Sequence, residues 1–541
     1  MSMAHIIMNG KLIYLLPFLP LVFCWKFTEF FIFPKSILLC FIICIYLLNN
    51  IIKKDLKIHN NVIFFIYIFY LGTISFNSKL QFNSLYNSLY FLTFYLFFTH
   101  KKKIKILRYI KYLNITGFII CIYAALQYIG IDFIWDFTNA DEWIGINKVF
   151  STLGNKNFLS EILVLLILLN DSVKRFTKNN IFYIIVVLLV LEKTAVFFLI
   201  CYFIYKYKTK LLYFSKLKKT ILSIFIIVIT LLLFNTGKYE LHNKITGKNS
   251  FCQRLYIWKT TVDIVKEYFF IGVGPGNFKD SFYYYQTQNL FDFKFNYFSE
   301  PEFAHNEILQ IFSETGFIGI ILIVLLLNKI IKKGLLTKRF RFIFIYLIFQ
   351  SMFSFPLRLP SALIILFPVI RSIVLRIKED NSHYYISKNK IISYCLFLSI
   401  FIFLTLNISF ITSNFISKKG FLEKNEKLLF LGEKLNIVSS IPIMNIALYF
   451  YEQENFLLSQ FYFEKAWNYT KNPLIYYYKG MIRLASGNNN EAKDLLEGFV
   501  IYYPFNKEGY YNLSLIYRYE GNEKKAEENF DKFQVLLSLE K

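Results

Sequence analysis

Apolar runs too long for any strand dominate this chain: ILLCFIICIYLL at 37–48, GFIGIILIVLLL at 316–327 and IISYCLFLSIFIFLTLNISFI at 391–411. A bilayer core of about 30 Å is crossed by roughly 20 helical residues at about 1.5 Å each, and inside it every backbone polar group must find its partner within its own helix. The runs therefore predict an all-α fold, a polytopic bundle of membrane helices. Composition agrees, with 56% hydrophobic and 20% aromatic residues among 541. A formal charge of +25 would also suit a nucleic-acid binder, but the lysines sit between apolar runs, where they orient a membrane protein. The expected surroundings are a membrane, with no nucleic acid.

Orientation follows from those lysines. The basic segments at 53–57, 101–111, 174–178, 206–219, 329–341 and from 376 onward are expected on the cytoplasmic side. Between them fall spans near 11–25, 31–48, 62–76, 84–100, 112–131, 157–170, 219–235, 307–328, 340–355, 359–376 and 391–412. Both flanks of 181–205 are basic, so that stretch is expected to form two short helices turning outside at Glu192-Lys193-Thr194. About 12–13 crossings result, with the N-terminus inside and no cleavable signal peptide expected. Residues 1–235 then form the N-terminal spans, 236–306 a large outer loop, 307–412 the C-terminal spans and 413–541 an outer domain.

That last region repeats itself. SGNNNEAKDLL at 486–496 aligns with EGNEKKAEENF at 520–530, placing Gly487 and Gly521 34 residues apart. YEQENFLLSQFYFEKAW, from 451, fits one period earlier with Gln453 in the glycine's place. The pattern resembles tetratricopeptide repeats, which implies stacked helix pairs and a protein or peptide partner; a helical cap without a ligand is the alternative.

Reactive residues are few. The seven cysteines form no CxxC pair or Cys/His cluster, so neither a zinc site nor a disulfide framework is expected, and no cofactor is implied. Of six histidines, His242 and His305 are expected on the outer side. His305 opens AHNEILQIFSETGFIG (304–319), where helical spacing gathers Ser313, Asn306, Gln310, Glu314 and Glu307 into one polar stripe. A glutamate inside a span is costly unless it faces protein or water, which marks Glu314 as functional, unless the helix simply begins deeper, at Phe317. Before the repeats, the outer segments carry two arginines in a lysine-rich chain, Arg254 and Arg358. Arginine's planar fork suits phosphate oxygens, so the pair points to an anionic substrate; snorkelling to lipid headgroups is the alternative.

Several spaced blocks together carry a resemblance. RLYIWKTTVDIVKEYFFIGVGPGNF at 254–278, followed by AHNEILQIFSETGFIG, resembles the signature region of the O-antigen ligase and polymerase family. STLGNKNFLS at 151–160 is similar to the family's F-x-N-P-N segment, and SFPLRLP at 354–360 to its D-F-P-L-x-x-P turn. The chain departs at Lys156, where proline is usual, at Ser354, where an acid is usual, and at LEKTAVFF, where Ser-Arg-Gly-Ala is common; Lys193 is the cation nearest that missing arginine.

The resemblance implies a GT-C-like bundle in the bacterial cytoplasmic membrane. Its active site would face outward and transfer glycan from undecaprenyl pyrophosphate without a metal. Acceptors in the family are lipid A core, another lipid-linked repeat unit or protein hydroxyls. By that analogy Arg254, with Lys193 and Arg358, would bind the pyrophosphate. His305 would deprotonate the acceptor hydroxyl, a task suited to a pKa near neutrality. Asn306, Glu307, Asn155 and Asn157 would contact sugar or support the site, and Glu314 would tune it. Gly274, Gly276 and Asn277 belong to GVGPGN, which follows a helical pattern and so suits a tight turn at the membrane surface better than a nucleotide loop. A lipid-sugar transporter would need a polar path through the inner halves of the spans, which are uniformly apolar. A membrane anchor for the repeats would leave the outer His, Arg and Glu without a task.

Overall fold

A computed structural model describes residues 11–23, 32–59, 62–78, 80–100, 104–132, 149–173, 178–212, 250–293, 301–374, 383–385, 390–504 and 506–539. After a 3-10 helix at Lys11–Leu21, the helices of the spans are α1 (Ile32–Ile52), α2 (Val62–Asn77), α3 (Gln81–Thr99), α4 (Ile106–Tyr128), α5 (Lys156–Ser172), α6 (Lys178–Val190) and α7 (Lys193–Leu212). Next come α8 (Ser250–Glu267), α9 (Phe278–Phe293), α10 (Glu307–Leu336), α11 (Arg341–Ser351), α12 (Pro360–Val374) and α13 (Lys390–Leu422). The last seven are α14 (Glu426–Lys434), α15 (Ile441–Glu452), α16 (Phe456–Ala466), α17 (Leu474–Ala485), α18 (Asn489–Tyr502), α19 (Lys507–Tyr519) and α20 (Glu523–Leu539). Strands β1 (Lys57–His59) and β2 (His383–Tyr385) add one short antiparallel pairing.

The helical membrane bundle that the apolar runs require is present. Among the described residues four stretches are long and apolar enough to cross a membrane: Pro34–Ile52, Ile106–Tyr128, Glu307–Asn328 and Lys390–Leu422. Shorter apolar helices accompany them, among them Lys178–Val190, Arg341–Ser351 and Pro360–Val374. The expected span at 219–235 lies outside the described residues. Of the expected span at 11–25, the described part forms the 3-10 helix Lys11–Leu21 instead of an α-helix, because Pro17 and Pro20 lack the N–H groups an α-helix would use.

Two compact units divide the chain, one comprising 1–65, 89–238 and 323–404, the other 66–88, 239–322 and 405–541. In the first, α5 is the central helix: every residue from Leu159 to Asn170 is buried, as an all-round apolar helix demands. Gly117 of α4 admits it closely, since a Cβ there would lie 2.6 Å from Leu166 Cδ1. Polar side chains in these helices satisfy one another. Asn114 and Asn170 exchange amide hydrogen bonds of 2.8 and 2.6 Å, and Asn170 also donates to Asn180 at 2.7 Å. Between α6 and α7 the chain breaks at Leu191, whose φ is +51°, and Glu192 caps α7 by accepting from the Ala195 N–H at 2.6 Å. The reversal falls at the Glu192-Lys193-Thr194 stretch.

In the second unit the described part of the 236–306 region is a helical pair, with Tyr256, Ile257 and Ile264 of α8 packed on Phe278 and Phe282 of α9 around Ala304. Burying each such side chain is worth about 1.5–3 kcal/mol. Together with the end of α13, the helices from α14 to α20 form an array of consecutive pairs whose turns repeat a device. Asn425, Asn455, Asn488 and Asn522 each accept a backbone N–H three residues on, at 3.3 Å, capping the second helix of a pair. The residue before each asparagine, Lys424, Glu454, Gly487 or Gly521, is left-handed. Glu454, rather than Gln453, therefore holds the glycine's place, and the repeat there is 33 residues instead of 34.

Candidate active site

His305 is held by what surrounds its neighbour. The Trp258 indole N–H, from α8, donates to the Ala304 carbonyl at 3.0 Å, and Gln310 Oε1 accepts from the Ala304 N–H at 2.5 Å. With both sides of Ala304 fixed, His305 takes φ +51°, a conformation a side-chain-bearing residue adopts only when its surroundings impose it. Asn306 then caps α10, its Oδ1 accepting from Ile308 and Leu309 at 3.0 and 3.1 Å. Glu307, Gln310, Ser313 and Glu314 are all buried, so the polar stripe faces protein. Gln310 Nε2 donates to Glu314 Oε1 at 2.7 Å and joins the stripe to the Ala304 clamp.

The stripe does not run straight into the apolar helix. Gly316, at φ +64° and ψ −172°, interrupts α10. Its freed groups pair with the segment that follows α8. Val273 and Gly274 N–H donate to the Ser313 and Glu314 carbonyls, each at 2.9 Å, and Phe317 and Ile318 N–H donate to the Phe269 and Phe270 carbonyls at 2.8 and 3.3 Å. The approach is so close that a Cβ on Gly316 would sit 2.3 Å from Phe270 O, and one on Gly272 2.5 Å from the Glu314 carbonyl carbon. Tyr70 of α2 donates to the Thr315 carbonyl at 2.7 Å and closes the break. An apolar helix does start at Phe317, and Glu314, just before the break, is buried.

GVGPGN is the other half of this latch. Gly274 and Gly276 are left-handed, and the space above them is filled by Ser84 Oγ and Asn87 Nδ2, at 2.6 and 2.0 Å from an added Cβ. Asn277, nearly buried, donates to Ser84 Oγ at 2.9 Å, while Asn83 donates to the Gly276 carbonyl at 2.7 Å and to Asn277 Oδ1 at 3.2 Å. These glycines build a turn clasped by α3. The pattern NSLYNSLY (83–90), polar at helical spacing in an apolar run, was the sequence signal for that clasp.

Burial and the charge of Arg254 on α8 push the His305 imidazole down to about 4. A pKa near neutrality, expected from the base role, is therefore not what the free protein provides. The ring is neutral at pH 7 and has an acceptor nitrogen, but it is weakly basic. Neutral His is favoured by folding here, so its contribution to stability is complete above about pH 6.5 and is lost as pH falls toward 4. Arg254→Gln is expected to move the imidazole titration upward, toward 6.5, in the NMR spectrum of isotope-labelled histidine; a ring titrating where the wild type does would rule out the charge coupling.

The remaining site residues lie in the first unit, where three turns gather. Asn155 caps α5 through Asn157 N–H at 2.8 Å, and Phe158 meets Phe355 edge-on at 5.5 Å. Lys193, exposed, begins α7 beside Thr194, whose hydroxyl donates to Glu192 Oε2 at 2.7 Å and approaches Gln350 Oε1 at 3.4 Å. Arg358 follows Phe355, to whose carbonyl its own N–H donates at 3.0 Å. Glu161, fully buried in α5, accepts from Gln350 Nε2 and Ser354 Oγ, each at 3.3 Å, so a carboxylate reaches Ser354 from another helix. Lys35 is also buried here, donating to the Thr152 carbonyl at 2.6 Å and lining a narrow cleft with Leu153, Phe158, Leu359 and Pro360. Sequence reasoning passed over Glu161 and Lys35, because a single charge barely changes the apolar average of a span.

Residues 179–324 match the family model described as O-Antigen ligase. The match covers Lys193, Arg254, the glycine turn, His305 and the stripe through Glu314; Asn155, Asn157 and Arg358 lie beyond it. Over those residues the chain is similar to the O-antigen ligase family, which supports ligase- or polymerase-type glycosyltransferase activity in general. No curated protein matches the chain.

Proposed function

We propose that this protein transfers a glycan from undecaprenyl pyrophosphate to a hydroxyl acceptor at the outer face of the bacterial cytoplasmic membrane. The supporting observation is the clamp on Ala304, which presents a strained, neutral His305 close to the charge of Arg254 within the ligase-matching segment. In this reading Arg254 binds the pyrophosphate and stabilises the charge growing on it as the glycosidic bond breaks. Binding that anion offsets the arginine's charge, the smaller of the two causes that lower the His305 pKa, and so raises it part of the way when donor is bound. His305 then takes the acceptor's proton. Lys193 and Arg358 are assigned further phosphate contacts, Asn155 and Asn157 sugar contacts, and Glu307 and Glu314 a supporting role; Gly274, Gly276 and Asn277 act through the turn they form. The C-terminal array is assigned a tetratricopeptide-like architecture, its paired helices and repeated asparagine caps being the support, with a protein partner or acceptor as its ligand.

Ligase and polymerase differ in what their absence leaves behind. Deleting the gene is expected to strand glycan on the lipid carrier: long chains if the protein is a ligase to lipid A core or protein, single repeats if it is a polymerase. Carrier-linked and surface pools that match those of the parent would refute the transfer reading.

A further inference from the structure

The helix that follows the glycine turn is tied to the C-terminal array by a partly buried carboxylate. Asp280 lies in the first turn of α9, just beyond Asn277. Its Oδ1 accepts from Thr470 Oγ1 at 2.8 Å and from the Lys471 backbone N–H at 2.6 Å, both in the link between α16 and α17. Burial pushes the carboxyl up from its ordinary value, and these two donors act against that, chiefly the Lys471 N–H. Around the carboxylate, Tyr284 meets Tyr502 edge-on at 4.8 Å and Tyr283 stacks on Tyr503 at 6.3 Å. Tyr283, Phe499 and Tyr503 share one core. The tyrosine contacts are weakly directional and on their own leave the register of α9 loose. Two hydrogen bonds converging on one oxygen select a single register.

From that point a continuous chain of contacts reaches the histidine. The start of α9 carries Asn277, which α3 grips through Asn83 and Ser84. Next to it, Val273 and Gly274 bind the Ser313 and Glu314 carbonyls exposed by the break at Gly316. On the same turn of helix Gln310 holds both Glu314 and Ala304. We propose that the C-terminal array is a built-in component of the His305 site, with Asp280 the positioning residue through which the array fixes the glycine turn and the break in α10. The array is then more than a tethered binding module, and a partner that draws it away from α9 lowers transfer.

Hydrogen exchange on the full-length protein in nanodiscs tests this. Asp280→Ala is expected to speed exchange across 268–277 and 304–318 by about tenfold, because two charge-assisted hydrogen bonds are lost. Asp280→Asn, which keeps an acceptor oxygen, is expected to restore most of the protection. The activity readout rests on the transfer reading: kcat should fall by about tenfold in Asp280→Ala while KM for the lipid-linked donor changes little. Wild-type exchange in both segments of Asp280→Ala, with the array still helical, would overturn the proposal. If that variant does not accumulate folded, Thr470→Val removes one donor and gives the same measurement, a smaller rise supporting the proposal and no rise overturning it. A wild-type protein that transfers nothing refutes the reading of the site, while the exchange result still decides the role of Asp280.

Discussion

His305→Ala is expected to lower glycan transfer by about 10²–10⁴-fold, the range that a positioned general base contributes. The protein should still fold, because the Trp258 and Gln310 bonds to Ala304 and the Asn306 cap, which hold this segment, remain in place. Removing a ring whose pKa is about 4 should also remove its part of the stability lost on acidification between about pH 6.5 and 4. Donor affinity, carried in this reading by Arg254, should change little, so the loss should appear in kcat. Transfer by the variant within about threefold of wild type, at equal protein level, would remove His305 from the chemistry. A loss confined to KM would instead make it a binding residue.

The largest structural effect is expected at Gly316. At φ +64° and ψ −172° a side chain is strained by about 1–3 kcal/mol, and here its Cβ would meet the Phe270 carbonyl oxygen at 2.3 Å. Backbone lies on both sides of the contact, so no rotamer relieves it. Relief requires separating the strands of the latch, which forfeits up to four hydrogen bonds of about 1 kcal/mol each. Gly316→Ala should therefore destabilise the protein by about 3 kcal/mol or more, read as a lower Tm in detergent and lost yield of folded protein. Gly498, in the middle of α18 with open space where a Cβ would go, is the control: Gly498→Ala should be neutral or stabilising by about 0.4–1 kcal/mol. A Gly316→Ala protein as stable as wild type would mean that α10 runs straight.

How far the site was legible depended on the kind of information each residue carries. His305 and Arg254 stood out because their types are rare in the segments expected outside and their spacing carried the family resemblance. Gln310 and Trp258 were visible in the same blocks, yet their joint hold on Ala304 was not, since they approach one peptide from different helices. The fall in the His305 pKa escaped because it comes from burial and a charge 51 positions away in sequence. In the array a 34-residue spacing joins the left-handed Gly487 and Gly521, whereas the left-handed residue upstream is Glu454, 33 residues before Gly487. Only backbone conformation shows which residue of Gln453-Glu454 is left-handed.

Sequence alone determined that this chain is a helical membrane protein and where its apolar helices lie, and it singled out the rare polar residues proposed for the site. Those properties follow from local composition and period, because lipid accepts only helices whose backbone groups are paired within the segment. Tertiary structure decided the break in α10, the clasp on the glycine turn, the carboxylate of Glu161 beside Ser354 and the grip of Asp280 on the array. Each of these joins groups far apart in the chain through hydrogen bonds whose partner no local pattern names. A glycine in an apolar run reads as helix until another backbone arrives to take the bonds it releases.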